Sequence, residues 1–98
     1  MGYRSRAAQI ELGDALALVL LALDHDAPRF DKAAVRWHSR LCREVSLTLD
    51  EAQLALSALR ALPSPSRRGA AYALAAVAER HAIDGVAKAL DGWARAQG

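Results

Sequence analysis

The sequence predicts an all-α protein, a compact five-helix bundle, on three observations. Ala and Leu dominate and β-branched residues are few, a composition that favours helix and gives strands little to build on. No stretch alternates polar and apolar residues as a half-buried strand does. Four short punctuation points, Asp24–Pro28, Val45–Thr48, Pro63–Ser66 and Ile83–Gly85, separate five runs of helical length. With 98 residues, 53% of them hydrophobic, the chain has material for one modest core and is read as a single domain, 1–98.

The first helix is expected from Arg6 to Asp24, with Ser5 as N-cap and Pro28 beyond its end. Asp31 is expected to cap the second, from Lys32 to Val45. Thr48 with Glu51 three residues later is a capping box, so the third helix opens at Leu49 and stops at Pro63. Ser64 followed by Pro65 predicts a cap with proline in the first helical position, opening a fourth helix that reaches His81. Asp84 is expected to cap the fifth, from Gly85 to Arg95. The apolar stripes place Leu16, Leu20, Trp37, Leu41, Leu56, Leu59, Val77, Leu90 and Trp93 in one core.

Composition excludes several function classes. The single cysteine, Cys42, forms no internal disulfide. The longest uncharged apolar run, Ala15 to Leu23, is about half of what a membrane-spanning helix needs. The opening residues lack the pattern of a secretory leader, which leads to the expectation of a cytoplasmic protein. Eleven of the thirteen basic residues are Arg and Asn is absent, as a high-GC bacterial genome would encode. No glycine-rich phosphate loop, GxSxG elbow or HExxH is present, so no enzyme is expected. Glu11 and Asp14 lie one turn apart, as acid and base would, but fit a solvated stripe in the first half of a helix. His38 and Cys42 have the four-residue spacing of a metal pair; set among Ala34, Leu41 and Val45, they read instead as a core histidine and an inert buried thiol. Neither metal nor cofactor is expected.

Two patterns remain as binding surfaces. In the second helix Lys32, Arg36, Arg40 and Arg43 share one side, opposite Ala34, Trp37, Leu41 and Val45, and Arg29 extends the positive stripe. Stacked cations with only Glu44 nearby favour an anionic partner. Arg67 and Arg68, in Ser64-Pro65-Ser66-Arg67-Arg68-Gly69, place two further cations at a helix start, where free amides and hydroxyls would join them in holding a phosphate or carboxylate. The first helix carries apolar residues on every side, so it is either enclosed by the other four or meets a second chain through Leu18 and Leu21. The fourth helix is rich in small residues, from Gly69 to Ala78, which would let neighbours approach closely.

The run Val77-Ala78-Glu79-Arg80-His81-Ala82-Ile83, then Val86 and Leu90, resembles the helix-turn-helix opening of the LacI-type repressors. That resemblance covers under a fifth of the chain and implies DNA binding by the fifth helix. It departs from the family in the short spacing of Ile83 and Val86, and in Gly85, Val86, Ala87 and Lys88, which lack a face rich in Ser and Thr for reading base edges. With a net charge of only +2, the first expectation is a non-enzymatic interaction or regulatory module that docks on an acidic face of another protein through its Arg-rich helix. The alternative is a small nucleic-acid-binding protein, with a degenerate helix-turn-helix or a phosphate-binding basic face.

Overall fold

The structure, a computed structural model, describes residues 2–97, with side chains described from Leu12 to Gln97. Its helices are α1 (Gly2–His25), α2 (Ala27–Glu44), α3 (Leu49–Ala61), α4 (Arg67–Arg80) and α5 (Asp84–Ala96), and the described residues contain no strand. Each helix packs on its neighbours in sequence, and α5 returns to α1, so the five close a ring around a shared interior. The longest dimension, 40 Å, matches α1, whose 24 residues span roughly 36 Å at helical rise.

Leu12, Leu16, Val19 and Leu20 of α1 meet Phe30, Ala34, Trp37 and Leu41 of α2 and Val86, Leu90 and Trp93 of α5 in the core. The Trp37 indole Nε1 donates to the Leu12 carbonyl at 2.9 Å, fixing the register of α2 on α1. Leu56 departs from expectation. It is half-buried, and α3 faces the core with Ala55, Ala58 and Leu59, continued by Leu62. Leu12, Phe30, Leu62, Leu74, Ile83 and Val86 join the core without having been expected there.

Helix boundaries show where local signals compete. α1 begins at Gly2, so Ser5 lies inside it. The joint between α1 and α2 is the single residue Asp26, whose carboxylate accepts from the Arg29 amide at 3.3 Å. Pro28 therefore sits in the first turn of α2, which tolerates a missing amide, and Asp31 lies within the helix. This early start places Phe30 in phase with Ala34, Trp37 and Leu41 on the buried stripe. Ser64 caps no helix: its hydroxyl donates to the Ala61 carbonyl at 2.6 Å and accepts from the Ser66 amide at 3.1 Å, shaping the turn before α4. Asp84 opens α5 from inside its first turn, with Ile83 in the cap position.

The α4–α5 corner is a helix stop built on Ala82, at φ 56°. The Ile83 amide reaches back to Ala78 O at 2.9 Å and the Ala82 amide to Glu79 O at 3.1 Å, the paired bonds of a left-handed C-terminal cap that glycine usually supplies. Ile83, buried beyond the turn, anchors it despite the strain of a Cβ there.

The capping box forms as expected. The Glu51 amide donates to Thr48 Oγ1 at 3.1 Å and the Thr48 amide to Glu51 Oε1 at 2.9 Å. Glu51 also reaches His81 Nε2 at 3.0 Å and lies 3.9 Å from Arg80 Nε, tying the start of α3 to the end of α4. The Thr48 amide first, and then the His81 side chain, hold the Glu51 carboxyl below its ordinary value of 4.5. Because the folded value is depressed, the stabilisation is fully present above pH 4.5 and is lost as pH falls through the lower, folded value. Urea titrations of wild type and Glu51→Gln are therefore expected to converge as pH is lowered from 7 through 4 to 3, with the wild type ahead at the start. A constant separation over that interval would exclude a charge-dependent contribution from Glu51.

Candidate docking site

The surface where the two sequence patterns meet lies between α1 and α2. An open groove of about 500 Å³ runs there, floored by Ala15, Val19 and Ala22 of α1 and by Ala33 and Trp37 of α2. Leu18 lines it from α1, while Arg29, Arg36 and Arg40 line it from α2. Its origin is local. Ala15, Ala22 and Ala33 are too small to fill the space between the helix surfaces, and the bulk of Trp37 is turned inward, 3% exposed.

Enclosure of α1 is overturned. Leu18 is 68% and Leu21 53% exposed, because among the described residues α1 packs against α2 and α5 and its third side is left open. Beside the two leucines, Asp14 and His25 are also exposed, giving one outward stripe at helical spacing. The side chain of Glu11 lies outside the described residues, so the expected pairing with Asp14 has no described counterpart.

The basic stripe of α2 is exposed along Arg29, Lys32, Arg36 and Arg43, with Arg40 half-buried. Glu44 engages Arg40 at 2.7 Å, and Asp26 lies 4.0 Å from Arg29. Among the described residues Lys32, Arg36 and Arg43 make no ion pair. Cations that stay unpaired beside an apolar groove favour an anionic, partly apolar partner.

Arg67 and Arg68 do not join this surface. Arg67 donates from Nε to Ser64 O and from its guanidinium to Gln97 Oε1, both at 3.2 Å, so it ties the turn before α4 to the end of α5. Arg68 is exposed on α4, and no α4 residue lines the groove. The expected anion site at this turn is thus half consumed by structural bonds.

The remaining expected pairs fall as follows. His38 is half-buried with Nε2 2.8 Å from the Ala52 carbonyl, which links α2 to α3. Cys42 was expected to be buried and is exposed, its sulfur 3.7 Å from His38 Nε2. Among the described residues no group of three His, Cys, Asp or Glu is placed to hold a metal ion, and no helix is long and apolar enough to cross a membrane. In the segment resembling a helix-turn-helix, α5 turns Val86, Leu90, Trp93 and Ala94 inward, and its Gly85 backbone abuts Gly13 of α1.

Sequence reasoning missed a second groove, of about 410 Å³, between α4 and α5, with Ala75, Ala76 and Ala87 below and Tyr72, Glu79, Lys88 and Asp91 around it. The signal was the alanine run of α4 with an exposed Tyr72 within it. Comparison with known proteins finds no matching family model, curated protein or solved structure.

Proposed function

We propose that the chain is a non-enzymatic docking module that binds an acidic face of another protein through the α1/α2 surface. The observation that carries this reading is the exposed Leu18 beside an apolar groove whose other wall is Arg29 and Arg36. Exposed cations at the edge of an apolar surface are the layout of a protein interface, in which the charges steer association with an acidic partner. Leu18 and Leu21 are the part of the surface fitted to self-association. Lys32, Arg36 and Arg43 are the part fitted to the acidic partner.

Affinity capture from native extract, with and without nuclease, tests the reading against nucleic-acid binding. The expected result is an acidic protein retained after nuclease treatment and lost from the Arg36→Glu/Arg43→Glu variant, with added salt slowing association more than it speeds release. Tight duplex binding at physiological salt would overturn it, if that binding is lost on reversal of Arg36, Arg40 and Arg43 and its log affinity falls with log salt at about 0.9 per phosphate contacted.

A further inference from the structure

We propose that the chain forms a two-fold dimer in which α1 of one copy lies antiparallel against the α1/α2 groove of the other. The inference rests on the reading of this face as a docking surface and names the occupant of its apolar part as a second copy of the chain.

The stripe Asp14, Leu18, Leu21, His25 is exposed on α1, and its steps of four, three and four residues read the same in both directions. A two-fold axis between Leu18 and Leu21 therefore sets Leu18 against the second copy's Leu21 and brings Asp14 to the second copy's His25. At that end of α1 the chain turns through Asp26 into α2, and Arg29 lines the groove. Asp14 is thus carried to an end of α1 where Arg29 stands beside the exposed Asp24 and Asp26. Neither residue is committed within its own chain: Asp14 makes no ion pair among the described residues, and Arg29 has only the loose Asp26 contact at 4.0 Å, with side chains 80% and 50% exposed.

Shape supports the same occupant. The alanine floor allows a helix to approach closely, and Leu18 belongs both to the wall of the groove and to the stripe that enters it. A contact whose receiving and inserted residues coincide is what an isologous interface requires. One two-fold contact covers Leu18 and Leu21 of both copies, whereas an unrelated helix would have to supply both the apolar stripe and the acid. Lys32 and Arg43 do not line the groove, so the dimer carries two basic stripes, and a partner with two acidic sites would bind with avidity.

Sedimentation equilibrium of the full chain from micromolar to millimolar concentration tests this, with circular dichroism to confirm helicity. Wild type is expected at twice the 10.5 kDa chain mass, and Leu18→Glu/Leu21→Glu as a folded monomer. Asp14→Arg and Arg29→Asp are each expected to weaken dimerisation about tenfold, and the two together on one chain to restore it, because each contact again joins opposite charges. A monomeric wild type across the range overturns the dimer, and so does a dimer unaffected by the leucine pair. Single charge variants without effect, or a double variant without recovery, overturn the antiparallel register. The capture assay is repeated with Lys32→Glu/Arg43→Glu, at residues that do not line the groove, so loss of the dimer and loss of the acidic partner are distinguishable.

Discussion

Leu41→Ala is expected to lower the unfolding free energy by about 3–5 kcal/mol. Leu41 is 2% exposed and already borders a small interior gap between α2, α4 and α5, shared with Trp37, Leu74, Val77, Ala78, Ile83 and Val86. The lining is apolar apart from the Trp37 indole, whose N–H is committed to Leu12, so water entering an enlarged cavity would find few partners. The truncation therefore forfeits both the transfer free energy and the packing of the surrounding side chains. Out of the roughly 5–15 kcal/mol that such domains possess, the loss is large enough to lower Tm by roughly 15 °C or more. Leu56→Ala is the control, because its side chain is only half-buried, and it should cost below about 1.5 kcal/mol. Equal urea midpoints for the two variants would show that the inward faces of α2 and α3 are misplaced.

Gly13→Ala and Gly92→Ala are expected to change stability in opposite directions. Both glycines lie within helices, where Ala is favoured by about 1 kcal/mol. A Cβ on Gly92 meets nothing within 4 Å, so that gain is expected in full. At Gly13 the added carbon would stand 2.9 Å from the Gly85 carbonyl carbon, 3.1 Å from its oxygen and 3.2 Å from its Cα. These are backbone atoms that no rotamer change can move aside, so α1 and α5 must separate, which costs about 1–3 kcal/mol and outweighs the helix preference. A net loss of about 1 kcal/mol at Gly13 against a gain of similar size at Gly92 is readable from urea midpoints at constant m-value. Gly13→Ala matching Gly92→Ala would mean that the two helices do not cross there.

Both halves of the candidate site were legible as patterns, the stripe from Arg29 to Arg43 by its helical spacing and the pair Leu18 and Leu21 by an apolar surplus on α1. Their convergence was not. It depends on α2 folding straight back along α1 after one residue, Asp26, whereas the sequence signals at Pro28 and Asp31 pointed to a longer connection. Arg67 and Arg68 resembled an anion site because two cations at a helix start have few local uses. The use of Arg67 is not local: it reaches Gln97, thirty residues away. Cys42 was assigned to the interior from its neighbours on the helix wheel, and the ring of helices left that side open.

Helix content, the number of helices and the capping box at Thr48 follow from the sequence by itself, because propensity, side-chain spacing and capping act over about one turn of chain and need no partner. Which side of each helix faces inward was also largely fixed, as Trp37, Leu41, Leu59 and Leu90 show. The tertiary structure alone decided that α1 keeps an open side, that Gly13 meets Gly85 and that Glu51 ties α3 to α4 through His81. Each of these joins residues at least thirty positions apart or depends on how many neighbours a helix acquires. Such outcomes are set by the packing of whole helix surfaces against one another, a quantity that no window of sequence contains.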